Sequence, residues 1–160
     1  MDGGGSCLRG KAAERFELRV LAALVIAVLC AGCAGTTTTD NDYRLKVAHT
    51  ASSLTAVVGS AQLAARQFLD GRLPQAYADY VISRAEQDGS SIQTAFDTRQ
   101  PPDAAADDLR NRVDQPLQQL TGDLTDLRVA VRTDDHAAMD SALADLAKGL
   151  KALSTFREAS

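Results

Sequence analysis

Four segments of the chain carry stripes of mostly apolar residues spaced alternately three and four positions apart, and this spacing restricts the fold more than any other feature. Such steps keep the side chains on one face of an α-helix and are typical of coiled-coil-like packing. The stripes are Val47, Ala51, Leu54, Val58, Ala61, Ala65 and Phe68; Ala78, Val81, Ala85, Asp88, Ile92 and Ala95; Val113, Leu117, Leu120, Leu124, Leu127 and Val131; and Met139, Leu143, Leu146, Leu150 and Leu153. No segment shows a useful length of strand-like alternation, so the sequence predicts an all-α fold.

Turn and cap residues give the expected bounds of the helices. We expect helices over about 43–69, 74–99, 104–132 and 134–158. The expected caps are Asp42, Asp103 and Thr133, Pro74 lies in the first turn of the second helix, and Asp70-Gly71 ends the first. Links of a few residues make neighbouring helices antiparallel. The sequence therefore predicts an up-down-up-down antiparallel four-helix bundle over residues 43–158.

Two residues interrupt the stripes. Asp88 lies on the apolar stripe of the second helix, and Pro116 coincides with two successive steps of four in the third, which predicts a kink or a break there. Counted from the helix ends, a group of residues lies at about the same height: Thr55, Asp88-Gly89, Pro116 and Asp145-Leu146, with Gln115 and Gln119 nearby. One hypothesis is a small polar ligand pocket at this level. The favoured alternative is that the second helix rotates and Asp88 reaches solvent, because charged residues are rarely buried unpaired.

The composition beyond Cys33 excludes some classes of partner. That part carries 13 Lys and Arg against 18 Asp and Glu, a formal net charge of −5, with no basic cluster. Nucleic-acid binding and adhesion to anionic lipid both need concentrated positive charge, so we expect neither. Tryptophan is absent and aromatic residues make up 4% of the chain, while Ala and Leu supply most of the apolar content. This composition favours closely packed helices.

The N-terminal part of the chain contains an apolar run followed by small residues and a cysteine. The run from Val20 to Cys30 has 11 residues, which is short of the roughly 20 that a membrane-spanning helix needs. It fits the apolar core of a secretory signal, which has roughly 7–15 residues. Leu29-Cys30-Ala31-Gly32-Cys33 resembles the lipobox of bacterial lipoprotein precursors, in which the modified cysteine becomes the first residue of the mature chain.

This resemblance implies a signal peptide over 1–32, a fatty-acid (palmitate) anchor on Cys33 and a flexible tether over 33–42. It places the protein at a bacterial cell membrane, on the extracytoplasmic face, with the membrane contacted through the lipid anchor. Either membrane of a two-membrane cell and the membrane of a single-membrane cell are all compatible with it. The alternative for the apolar run is a buried helix or an uncleaved anchor. Residues 1–17 contain three acids and several glycines, which suggests a translation start nearer Leu18.

The inventory of reactive side chains gives no catalytic, metal or cofactor site. No cysteine follows Cys33, no serine lies in a G-x-S-x-G context, and no glycine-rich phosphate loop is present. A di-iron bundle needs Glu-x-x-His motifs, and neither Glu86 nor Glu158 has a His three residues on. We expect His49 and His136 at opposite ends of the bundle, with His136 in phase with the core stripe of the fourth helix.

Recognition of a protein partner is the function that the sequence favours. Tyr77, Tyr80 and Arg84 lie near the start of the second helix, close to Arg66 at the end of the first, and Tyr and Arg are enriched in recognition surfaces. The simpler interpretation is that these amphipathic side chains only cover the end of the bundle. We expect a non-enzymatic interaction or scaffold domain, and the alternative is an extracytoplasmic bundle that senses a small ligand.

Overall fold

The computed structural model describes residues 39–157, which form an all-α structure. The helices are α1 (Asp40–Leu69), α2 (Gln75–Asp97), α3 (Ala104–Arg132) and α4 (His136–Arg157). Helices hold 87% of the described residues, and no strand occurs among them. The expected signal peptide, the expected lipid-bearing Cys33 and the tether up to residue 38 lie outside the described residues.

Neighbouring helices run antiparallel, as the short links over 70–74, 98–103 and 133–135 require. At one end of the bundle the ring of Phe68, near the end of α1, lies 6.3 Å from that of His136 at the start of α4. At the other end Tyr43, near the start of α1, lies 6.4 Å from Phe96 near the end of α2. These contacts confirm the predicted up-down-up-down bundle.

The cross-section of the bundle is skewed, with α1 and α3 on its short diagonal. α1 packs against each of the other three helices, and so does α3, whereas α2 and α4 make no contact in the described part of the chain. α2 and α4 therefore lie at opposite corners of the bundle, and α1 and α3 contact each other across its middle.

The predicted stripes of α1, α3 and α4 form the core. Their buried members are Val47, Ala51, Leu54, Val58, Ala61 and Ala65 of α1; Val113, Leu117, Leu120, Leu124, Leu127 and Val131 of α3; and Met139, Leu143, Leu146 and Leu153 of α4. Leu109, four residues before Val113, is buried with them. Phe68 and Leu150 are partly buried against this cluster. Burying a leucine side chain contributes about 1.5–3 kcal/mol, so the leucine-rich faces of α3 and α4 supply much of the folding free energy.

The stripe predicted for α2 is only partly confirmed. The helix is rotated so that Val81 and Ile92 are partly buried against the core, while Asp88 and Ala95 lie outside it. Ala78 and Ala85 are buried as expected, but the other buried residues are Ile82, Gly89 and Phe96. A Cβ atom added at Gly89 would lie 3.2 Å from Leu124 Cδ1 and 3.4 Å from Leu54 Cδ1. The missing side chain lets α2 approach α1 and α3 closely along this face, and Asp88 turns out of the core.

Pro116 does not break α3. The helix is continuous over its 29 residues from Ala104 to Arg132, with Pro116 buried inside it. Proline removes one helical hydrogen bond, but Val113 and Leu117 on either side are fully buried. Packing of these neighbours against the other helices holds the segment helical. Of the predicted kink or break at Pro116, the break is therefore wrong.

The helix ends confirm some of the predicted caps and correct others. The carboxylate of Asp103 accepts a hydrogen bond from the Ala106 amide at 2.9 Å, as predicted for α3. α1 starts earlier than expected because its cap is Thr39, whose hydroxyl accepts from the Asp42 amide at 3.1 Å. The cap of α4 is Asp135, which accepts from the Ala138 amide at 2.9 Å, because Thr133 is the C-cap of α3 instead.

Candidate functional site

A shallow groove between α1 and α2 combines an apolar floor with a polar edge. Its volume is about 210 Å³, and its lining residues are Val57, Ser60, Tyr80, Val81, Arg84, Ala85 and Asp88. Val57 and Val81 are partly buried and pack against the core, so they form the floor. The two α1 residues that line it, Val57 and Ser60, both have short side chains.

Two exposed tyrosines stand beside this groove on α2. The exposed fraction is 56% for Tyr77 and 65% for Tyr80, and their ring centroids lie 6.3 Å apart with the planes inclined by 40°. Aromatic rings in this tilted arrangement attract each other weakly, which helps to hold both rings above the surface. Arg66 is exposed near the end of α1 but does not line the groove.

Arg84 and Asp88 form the polar edge of the groove. Arg84 Nη2 lies 3.4 Å from Asp88 Oδ1, one helical turn along, and the side chains are 64% and 44% exposed. An exposed pair of this kind contributes little to stability, roughly 0.3–0.5 kcal/mol. Both charges therefore remain available to a partner that approaches α2.

The structure does not assemble the polar pocket considered at mid-bundle. Asp88 faces the α1–α2 groove, whereas Pro116 is buried in α3 and is not among the groove residues. Gln115 and Gln119 are exposed on α3. The rotation of α2 that brings Gly89 into the core also carries Asp88 to the surface, as in the alternative that the sequence favoured.

The two histidines lie in opposite halves of the bundle, with His136 at one end and His49 about a third of the way along α1 from the other. His49 is exposed. His136 is 62% exposed, lies 3.4 Å from Asp134 Oδ1 and meets the Phe68 ring edge-on, so it partly covers the core at that end. Among residues 39–157, no group of three or more His, Cys, Asp or Glu side chains is placed to hold a metal ion.

A polar clamp joins α2 to α3 on the side away from the groove. Glu86 accepts hydrogen bonds from Arg128 and, at 2.7 Å, from the Thr125 hydroxyl. Burial acts to raise the pKa of Glu86, but the hydrogen bonds from Thr125 and Arg128 and the positive charge of Arg128 outweigh it and lower that pKa. Asp79 extends the clamp with an ion pair to Arg132 at 2.8 Å. These side chains bind one another and hold α2 against α3.

Asp97 and Asp114 form an acidic cluster beside Tyr43, where α1 begins and α2 ends. The sequence did not reveal this cluster. The ring of Tyr43 is fully buried, and within the described chain neither its hydroxyl nor Asp114 Oδ1 has a hydrogen-bond partner. Burial raises the pKa of Asp97, and the neighbouring charge of Asp114 raises it further. Tyr43 fits the apolar stripe of α1, four residues before Val47, and this periodicity could have identified it as a core residue.

A second acidic cluster lies between α3 and α4. Burial raises the pKa of Asp123, the charges of Asp145 and Asp126 raise it further, and Lys148 opposes them. Lys148 Nζ donates to Asp145 Oδ1 at 2.8 Å, so its positive charge acts on both Asp145 and Asp123. Asp123 Oδ2 is buried and has no hydrogen-bond partner among the described residues.

No protein family, curated protein sequence or solved structure matches this chain. None of the helices in residues 39–157 is long and apolar enough to cross a membrane.

Proposed function

We propose that this chain is a lipid-anchored protein of the bacterial cell envelope whose four-helix bundle binds a partner protein through the α1–α2 groove. The observation that carries the binding role is the pair of exposed tyrosines, Tyr77 and Tyr80, beside an apolar groove. The proposal gives the bundle a scaffolding role and no catalytic step.

The anchor rests on the sequence Leu29-Cys30-Ala31-Gly32-Cys33 and the apolar run before it. Mass spectrometry of the membrane-extracted protein, beside a Cys33→Ala variant, tests it directly. We expect lipid mass on the wild-type chain, and loss of both that mass and membrane retention in the variant. A variant that keeps its membrane retention would instead support an uncleaved N-terminal helix.

A protein partner suits the groove better than a small molecule does. Pockets for small ligands usually have volumes of roughly 300–1,000 Å³ and enclose most of the ligand, whereas this groove has about 210 Å³ and opens along the surface. Tyr and Arg dominate the binding energy of many protein interfaces. Tyr80 and Arg84 line the same groove, so one partner segment can contact both.

Site-specific photo-crosslinking in cells tests the binding role. A benzophenone amino acid in place of Tyr80 should give a defined crosslinked product, which Arg84→Ala should weaken. The matched control carries the same group at Val129, an exposed apolar position on α3 that is 49% exposed. Equal crosslinking from both positions, or none from Tyr80, would contradict the proposal.

A small-ligand sensor is the second candidate, and the groove is also the observation that favours it. Its apolar floor with the Arg84–Asp88 pair at one edge suits an amphiphilic molecule. A saturating ligand raises the unfolding midpoint, so a thermal-shift screen separates the two candidates. A compound that stabilises the wild type but not a Val81→Arg variant would favour the sensor.

A further inference from the structure

The outward face of α1 carries a second heptad stripe, separate from the one in the core. It is made of residues spaced four, three, four, three and four positions apart, all of them exposed: Leu45, His49, Ser52, Ala56, Gly59 and Leu63. We call these six residues the outer seam. Leu45 is 49% and Leu63 61% exposed. Such spacing is the pattern by which one helix packs along another, and no described helix covers this face.

The outer seam lies on an uncharged stretch of the helix. No Asp, Glu, Lys or Arg occurs from Thr50 to Ala65, which is roughly 24 Å of α-helix at 1.5 Å per residue. Exposed residues of the other helices include charges such as Asp126 on α3 and Lys151 on α4. Surface positions in a helix normally carry such charges, so their absence over this length of α1 indicates a surface that is covered in the assembled protein.

The positions of the outer seam are symmetric about residue 54, and leucine occupies both of its ends. Leu45 and Leu63 are equally distant from position 54, and so are His49 and Gly59, and Ser52 and Ala56. In an antiparallel pair of identical helices centred there, each member of a pair meets the other member on the second copy. Leucine then meets leucine, and small residues meet at the crossing point. A Cβ atom added at Gly59 meets nothing within 4 Å, so there is room for the imidazole of the second copy.

The charges at the two ends of the outer seam have the same symmetry. Asp42 and Arg66 continue its spacing and are also equally distant from position 54. In the antiparallel pair, Asp42 of each copy faces Arg66 of the other. A parallel pair would place Asp42 against Asp42 and Arg66 against Arg66, and like charges directly opposite each other are destabilising. The charge pattern therefore selects the antiparallel arrangement.

We propose that the outer seam of α1 binds a second copy of this chain, forming an antiparallel, twofold-symmetric dimer through α1. Such an interface is isologous, with the same patch used by both copies. The outer seam shares no residue with the lining of the α1–α2 groove, and the dimer does not depend on the proposed partner protein. A contact through one helix per copy lies at the small end of interface sizes, below about 1,200 Å² in total.

The mass of the full-length chain in mild detergent, measured by light scattering, tests the dimer. Concentrations up to about 300 μM would populate a complex with a micromolar dissociation constant. Ala56→Glu places a carboxylate at the crossing point, and because Ala56 is exposed the bundle itself should fold normally. The matched control is Ala144→Glu, at an exposed alanine of α4.

We expect wild type and Ala144→Glu to have the mass of two chains, and Ala56→Glu that of one, with its dissociation constant raised at least tenfold. Circular dichroism should show the same helicity in all three. A wild-type monomer over the whole concentration range overturns the proposal. A dimer that Ala56→Glu leaves intact also overturns it, since association would then use another surface.

Disulfide crosslinking tests the direction of the helices. With Cys7, Cys30 and Cys33 changed to Ser, chains carrying Leu45→Cys are mixed with chains carrying Leu63→Cys. The antiparallel dimer predicts mixed disulfides between the two, and few between identical chains. Equal or greater crosslinking between two Leu45→Cys chains would contradict the antiparallel arrangement.

Discussion

At the scale of single residues, Gly149 is a point of close contact between α3 and α4. A Cβ atom there would lie 2.6 Å from Leu120 Cδ2 and 2.9 Å from its Cγ, closer than carbon atoms can approach. The absence of a side chain is therefore what allows the two helices to pack at this distance.

Gly149→Ala should destabilise the bundle although alanine is the better helix former. Overpacking a core costs about 1–3 kcal/mol, against a gain in helix propensity of about 1 kcal/mol. The matched control is Gly122→Ala on the exposed side of α3, where an added Cβ meets nothing within 4 Å. That change should stabilise by up to about 1 kcal/mol. Urea unfolding of both variants gives the comparison, and stabilisation by both would contradict the tight contact.

Asp123 makes stability depend on pH in a definite direction. Its pKa is raised in the folded state, first by burial and then by the charges of Asp145 and Asp126. The folded chain therefore binds this proton more tightly than the unfolded chain does. The stabilisation that this tighter proton binding gives the folded chain is fully present below the ordinary pKa of 3.8. It is lost as the pH rises through the raised pKa of Asp123.

Asp123→Asn should consequently raise the unfolding midpoint at pH 7, because the repelled buried charge is gone. The advantage over wild type should shrink as the pH is lowered towards 4. Thermal unfolding followed by circular dichroism at several pH values measures this, with Asp140→Asn, at an exposed position of α4, as the control. A gain that does not change with pH would show that charge is not its origin.

At the scale of elements, the turn between α3 and α4 combines the end of one helix with the start of the next. Asp134 has a positive φ of 54°, and the amides of Asp134 and Asp135 donate to Val131 and Ala130 at 3.2 and 3.0 Å. This is a Schellman motif, whose left-handed position is usually glycine. The turn after α1 has the same pattern with Gly71, whose φ is 69°.

Asp134→Gly should therefore stabilise the bundle, since it relieves a left-handed conformation that costs a residue with a side chain about 1 kcal/mol. Part of this gain is offset by the greater freedom of glycine in the unfolded chain. Gly71→Ala is the opposite test at the equivalent position and should destabilise by a similar amount. Chemical denaturation checks both, and a loss of stability in Asp134→Gly would point to a larger contribution from the Asp134–His136 pair.

The faces of the helices show which parts of this fold the sequence determines by itself. Leucine spacing in α3 and α4 leaves one possible apolar face, and the prediction there was confirmed. In α2, two stripes share Ala78 and Ala85, and one continues through Asp88 while the other continues through Gly89. The choice depends on Leu54 and Leu124, whose methyl groups leave little room for a side chain at position 89. Which face of α2 is buried therefore depends on the neighbouring helices and cannot be read from the sequence of α2 alone.

The candidate site also has one part that the sequence predicts and another that depends on how the helices pack. Tyr77 and Tyr80 stand out in a chain with 4% aromatic residues, and the sequence identified them. The groove beside them could not be predicted, because it depends on the rotation of α2 that brings Tyr80 opposite Ser60 of α1. The cap assignments of α1 and α4 failed for a local reason: Thr39 and Asp135 compete with equally suitable residues two or three positions away.

At the scale of the whole molecule, α1 and α3 touch every other helix, so the bundle should unfold in a single cooperative transition. Leu54→Ala removes a fully buried side chain from the centre and should cost about 2–5 kcal/mol. Leu63→Ala on the exposed side of the same helix is the control, with an effect within about 0.5 kcal/mol in dilute solution. Fluorescence of the tyrosines and circular dichroism should give coincident curves, and separate transitions would contradict a single core.

The even number of helices places the start of α1 and the end of α4 at the same end of the bundle, while the 70–74 and 133–135 links lie at the other. Chains whose first and last helical residues lie close together tolerate circular permutation. A short linker from Arg157 to Thr39, with new termini opened within 70–74, would leave every core contact in place. The new chain start would then stand at the opposite end, about 40 Å away along helices of this length.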